Sequence, residues 1–161
     1  MAISKGDRLP DGKLLKLGAN GPEEVQASDL AQGRVAIFAV PGAYTPTCTN
    51  QHMPSFVKNA ANFRDKGIDR IVCVTVNDPF VAAAWGKDTG ASDAGIEVLA
   101  DADGSFTKAL GLSFDAAAAG LLGRSKRYAM LLSEGTVERI EVEEAPGTCS
   151  VTSGESLLEQ V

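Results

Sequence analysis

The run Val35-Ala36-Ile37-Phe38-Ala39-Val40, stopped by Pro41-Gly42, decides the fold. It is apolar at every position, short, and bounded by breakers. That reads as a strand buried on both faces at the centre of a sheet. Beyond it, Met53, Phe56, Val57, Ala60 and Phe63 recur at helical spacing and give one apolar face. A helix is expected from about Pro46 to Lys66, with Thr45 as N-cap, Pro46 in the first position and Gly67 past the end. Pro54 lies inside that span and predicts a kink or an irregular turn near it. Ile71-Val72-Cys73-Val74-Thr75-Val76 is then a second buried strand. Strand, helix and strand in this order make two parallel neighbours joined by a crossover.

Reading outward, Lys13-Leu14-Leu15-Lys16-Leu17 is a short strand closed by Gly18, and Asn20-Gly21-Pro22 is a turn signal. Asn77-Asp78 caps a helix that starts near Pro79 and includes Phe80, Val81, Ala84 and Trp85. Ile96 to Ala100 is a third strand, and Phe106 to Leu110 a short helix. Tyr128–Leu132 and Val137–Val142 flank Ser133-Glu134-Gly135-Thr136, a hairpin with a glycine in its loop. Ser153 caps a last helix through Leu157 and Leu158. A mixed sheet with helices on both faces is the thioredoxin-like plan. Residues 1–161 read as one such domain, without internal repeat or linker.

Composition narrows the function. The 15 Lys and Arg against 21 Asp and Glu leave a net charge of −6, the wrong sign for nucleic acid or an anionic membrane surface. A six-residue apolar run cannot cross a bilayer, which needs about 20, and Met1 to Arg8 is too polar for a secretory signal. The expectation is a cytoplasmic protein with reduced thiols at Cys48, Cys73 and Cys149. With His52 the one histidine, no metal site is expected and no cofactor is implied. Asp101-Ala102-Asp103-Gly104 lacks the third ligand and the closing Glu of a calcium loop, whose twelfth position is Leu112 here. Gly120-Leu121-Leu122-Gly123-Arg124-Ser125-Lys126 lacks the Lys-Ser/Thr order of a phosphate loop.

Cys48 stands apart. A free cysteine is commonly a small buried hydrophobe. Here the segment before it, Pro41 to Thr47, carries proline, glycine and hydroxyl residues. If Thr45 is the N-cap, Cys48 is the third helical residue, where unpaired N–H groups and the helix dipole favour a thiolate. A reactive thiolate could serve acyl transfer with a histidine base, for which His52 lies one turn on. It could instead attack a peroxide O–O bond, which needs orienting donors and a cation but no histidine. A non-catalytic thioredoxin-like binding module is the third possibility.

The same residues resemble a known family. Pro41-Gly42-Ala43-Tyr44-Thr45-Pro46-Thr47-Cys48 is similar to the peroxiredoxin motif Pro-x-x-x-Thr-x-x-Cys. Gln51-His52-Met53-Pro54-Ser55-Phe56, Val76-Asn77-Asp78-Pro79-Phe80 and Lys126-Arg127-Tyr128-Ala129-Met130 resemble blocks of the type-five, or plant type II, members. The likeness runs from Gly6 to the last helix. It implies a thioredoxin-like fold and a thiol-dependent peroxidase acting on hydrogen peroxide and organic hydroperoxides. By resemblance, Cys48 is the peroxidatic cysteine, Thr45 holds the peroxide through its hydroxyl, Pro41 walls the pocket and Arg127 pairs with the thiolate. Taken alone, Arg127 beside Lys126 is a solvated charge at a strand end. Its guanidinium can nevertheless donate to sulfur and peroxide together. His52 matches a position with no catalytic role and is expected as a neighbour of the pocket. Cys149, in a loop after Pro146-Gly147, resembles a resolving cysteine of some animal members, whereas Cys73 in its strand is expected to be core. Related bacterial and plant members are reduced through glutathione or glutaredoxin, and thioredoxin is the alternative reductant. The resemblance also implies a homodimer, with Tyr44, Phe80 and Leu112–Leu122 as candidate interface residues.

Overall fold

The computed structural model describes residues 2–161. The chain opens with β1 (Lys13–Gly18) and β2 (Gly21–Gln26), then enters β3 (Arg34–Val40). After a wide turn come α1 (Met53–Asp65), β4 (Arg70–Thr75), α2 (Pro79–Asp88), β5 (Glu97–Ala100) and α3 (Ser105–Ala109). A small hairpin of β6 (Ser113–Ala116) and β7 (Leu121–Ser125) precedes β8 (Tyr128–Ser133), β9 (Thr136–Val142) and α4 (Gly154–Leu158).

Seven strands form one sheet in the order β2-β1-β5-β4-β3-β8-β9. β3, β4 and β5 are parallel, while β8 runs antiparallel to β3 and pairs with β9. The apolar run of β3 serves both faces. Val35, Ile37 and Ala39 enter a core closed by Phe106 and Leu110, and Ala36, Phe38 and Val40 enter one closed by Phe56, Phe63, Trp85 and Leu157. Thus α1, α2 and α4 cover one face and α3 the other, which is the thioredoxin-like arrangement read from the element order. The predicted caps of α2 and α4 are in place: Asp78 accepts from Val81 N–H, and Ser153 from Ser156 N–H. Among the described residues no helix is long and apolar enough to cross a membrane.

Three features differ from the sequence reading. β2 was not foreseen because it is an edge strand with only Val25 buried, so its side chains carry no apolar alternation. The β6–β7 hairpin is equally exposed and hides in alanine and glycine. Leu112, expected at an interface, is 2% exposed and belongs to the core.

Candidate active site

β3 delivers the chain into Pro41–Thr45, a loop held from several directions. Arg124 Nη1 donates to the Pro41 carbonyl at 3.1 Å, and Ala43 N–H donates to Asn77 Oδ1 at 3.0 Å. Tyr44 O–H donates to Asp88 at 2.7 Å. These contacts hold Tyr44 at φ +65°, a left-handed conformation that costs a residue with a Cβ about 1–2 kcal/mol. A Cβ at Gly42 would stand 2.5 Å from Arg124 Nη1, so a side chain there would displace the guanidinium that holds Pro41. The Thr45 hydroxyl donates to the Gly42 carbonyl at 2.8 Å rather than capping the helix. Its proton is thereby committed, and its oxygen is left to accept.

The helix begins at Pro46, so Cys48 does lie in its first turn. Residues Cys48–His52, however, form a π turn, in which the Met53 N–H reaches back five residues to the Cys48 carbonyl. Pro54 supplies the reason. It has no N–H, and in a regular helix its ring would meet the Asn50 carbonyl, so the wide turn falls just upstream. The irregularity expected near Pro54 is therefore located at the candidate nucleophile.

Cys48 is fully buried and packs in the apolar cluster of Phe38, Met53 and Phe56, contrary to the polar setting that its sequence neighbours suggested. One polar group reaches it. Arg127 Nη2 lies 3.1 Å from Cys48 Sγ. Arg127 is 1% exposed, so the solvated strand-end alternative does not hold. Its Nη2 also donates to the Pro146 carbonyl at 2.9 Å, and its Nη1 to His52 Nδ1 at 2.9 Å. His52 Nε2 lies 2.9 Å from the Thr152 carbonyl, so that nitrogen carries the proton and Nδ1 accepts from Arg127. Burial, and then the charge of Arg127, lower the His52 pKa to about 3. Both ring nitrogens are thus engaged away from Cys48, which leaves a hydrolase without its base.

The remaining thiols lie differently. Cys73 is fully buried in β4, and burial pushes its thiol up, with the nearby Cys48 adding to the effect. Cys149 is half-buried, and burial raises its thiol, partly opposed by Arg127. Its loop, expected to be free to move, is pinned: the Gly147 carbonyl accepts from Thr47 Oγ1 at 3.0 Å and the Pro146 carbonyl from Arg127. Cys48 and Arg127 are brought into contact, Pro41 and Thr45 lie on the loop that leads from β3 into the helix of Cys48, and Cys73 stays in the sheet. Arg124, Pro146 and Thr152 were missed, because each acts through a main-chain carbonyl or reaches one, which leaves no trace in residue type. Among the described residues no group of three or more His, Cys, Asp or Glu side chains gathers as a metal site would require.

A family model described as Redoxin matches residues 4–158. Peroxiredoxin-2E of Arabidopsis thaliana, a chloroplastic protein, is 44% identical over 162 residues, covering 98% of this chain and 68% of its own. Peroxiredoxin-2C of Oryza sativa subsp. japonica is 42% identical, covering 97% of this chain and 96% of its own. This chain belongs to the peroxiredoxin family. Among solved structures, reduced Prx3 from Vibrio vulnificus in complex with H2O2 superimposes with a TM-score of 0.91 at 43% identity, over 98% of both chains. As a peroxiredoxin, the protein is a thiol-dependent peroxidase, with a peroxide as oxidant and a thiol as reductant.

Proposed function

We propose that Cys48 is the peroxidatic thiol and that Arg127, Thr45 and Pro41 form its peroxide pocket. The observation that carries this reading is the 3.1 Å contact between the Arg127 guanidinium and Cys48 Sγ in a buried site. A guanidinium there can donate to sulfur and to a peroxide oxygen together. The thiolate attacks the terminal oxygen of ROOH; an S–O bond forms, the O–O bond breaks, and RO⁻ leaves and is protonated to ROH. Sulfur is oxidised by two electrons to the sulfenic acid. Arg127 and the first-turn N–H of Cys48 offset charge on the two oxygens. The Thr45 oxygen accepts a hydrogen bond from the peroxide O–H, because its own proton faces the Gly42 carbonyl.

The sulfenic acid is then reduced by an external thiol, and we favour glutathione with glutaredoxin over thioredoxin. In support, Cys73 sits in the sheet and the Cys149 loop is pinned, so neither has ready access to Cys48. Two thiols return the cycle: the first expels water and forms a mixed disulfide, the second releases Cys48. We further propose a homodimer that covers Tyr44, Phe80 and Leu122, which are 50%, 59% and 66% exposed, whereas Leu112 is in the core. A cytoplasmic setting fits a cycle that consumes reduced thiols. Peroxide consumption by the wild type and the three Cys→Ser variants, with each reductant in turn, tests the reading. Loss of turnover only in Cys48→Ser is expected with glutathione and glutaredoxin. Turnover surviving in Cys48→Ser would overturn the assignment of the nucleophile, and equal dependence on Cys149 would overturn the one-cysteine cycle.

A further inference from the structure

The chain between β9 and α4 crosses the site as a strap. Its carbonyls at Pro146, Gly147 and Thr152 accept from Arg127, Thr47 and His52 respectively. One side chain folds the strap into this shape. Glu143, which is 7% exposed, accepts from Ser150 N–H at 2.7 Å and Ser150 O–H at 3.2 Å. It also accepts from Thr152 N–H at 2.9 Å and Thr152 O–H at 2.7 Å. Burial works to raise its carboxyl, but the bonds from Thr152 and Ser150 prevail and hold it below its ordinary value. Its own N–H donates to the Arg127 carbonyl at 2.9 Å. Glu143 therefore grips both ends of the problem, the main chain of Arg127 and the strap that receives the Arg127 side chain.

We propose that Glu143 is a positioning residue for the peroxide step, clamping the strap so that the Pro146 carbonyl and, through Thr152, the His52 ring aim the Arg127 guanidinium at Cys48 Sγ. This rests on the assignment of Cys48 and Arg127 above. An arginine side chain has a long, flexible stem and about 2 kcal/mol of rotamer entropy. Its head is fixed only if its acceptors are fixed. Here both acceptors besides sulfur, Pro146 O and His52 Nδ1, depend on the strap. A carboxylate is suited to the clamp because it accepts at both oxygens. A glutamine with its oxygen at the Oε2 position would turn its N–H₂ group toward the Ser150 hydroxyl and would lose the charge that draws the three donors on Oε2.

The test separates peroxide attack from reductive recycling. For the wild type, Glu143→Gln, Thr152→Val and the control Glu144→Gln, the second-order constant with limiting peroxide and the reductant-limited kcat are both measured. Glu144 is exposed and lies outside the clamp. Expected is a roughly tenfold to hundredfold fall in the peroxide constant of Glu143→Gln, a smaller fall in Thr152→Val, and an unchanged kcat and control. A loss of folded enzyme lowers both constants in proportion. That pattern in both variants, or a peroxide constant equal to wild type, overturns the proposal. If Glu143→Gln does not fold, Thr152→Val decides by the same split. A Cys48→Ser variant that still consumes peroxide overturns the assignment of the nucleophile, and with it this one.

Discussion

His52 shows how much a single side chain can be reshaped by its surroundings. It is packed edge-on against Phe38 and Phe56, fully buried, and faces the Arg127 charge. Its pKa of about 3, against 6.5 for the free group, ties folding to pH. Below pH 6.5 the unfolded chain takes up a proton that the folded chain refuses, so stability is complete above pH 6.5 and declines as pH falls toward 3. The slope approaches about 1.4 kcal/mol per pH unit in that window. Urea denaturation of the wild type and His52→Asn at pH 7 and pH 4.5 is expected to show a smaller loss in the variant. An equal loss in both would mean the imidazole titrates normally. Nothing in the sequence showed this pairing, because His52 and Arg127 are 75 residues apart and meet only across the sheet. The place of Cys48 in a first helical turn, by contrast, was legible, since proline and threonine there are local signals, although Thr45 turns its hydroxyl to Gly42 instead of capping. Glu143 was not, because Glu143-Glu144 after a strand has the same pattern as a solvated turn.

At the scale of elements, α4 depends on one close approach. Gly154, at its start, donates its N–H to Ser55 Oγ at 2.8 Å, and a Cβ on Gly154 would fall onto the Ser55 carbonyl. Main chain cannot yield as a flexible side chain can. Gly154→Ala is therefore expected to cost about 1–3 kcal/mol, measured as a lower urea midpoint with an unchanged m value. A variant as stable as wild type would show that α4 slides along α1 without penalty. Gly42 is a milder case, since the atom in its way is the tip of Arg124. Helix α4 and the buried strands could be anticipated from period and caps. The edge strand β2 and the β6–β7 hairpin could not, because strands that bury one residue or none leave no periodic signal.

The molecule as a whole presents Tyr44, Phe80 and Leu122 to solvent, although it is acidic overall. Phe80→Glu adds a buried charge to each side of the proposed dimer and is expected to sediment as a monomer at micromolar concentration, while the wild type sediments as a dimer; a dimeric variant would move the interface elsewhere. Redox state should also be felt by the entire fold. Among the described residues no carboxylate pairs with Arg127, whose other partners, the His52 ring and the Pro146 carbonyl, are uncharged. With Cys48 as the proposed thiolate nucleophile, that thiolate is also the counter-ion of Arg127, and the reduced pair is neutral. Oxidation to the neutral sulfenic acid strips that counter-ion away and strands a cation where water does not reach. The oxidised centre is then under electrostatic tension that an incoming thiolate would relieve. Melting temperature is the gauge: the sulfenic form should melt below the thiolate form, and the sulfinic form, anionic again, should recover the loss. Identical melting of all three forms would mean that another anion moves in beside Arg127.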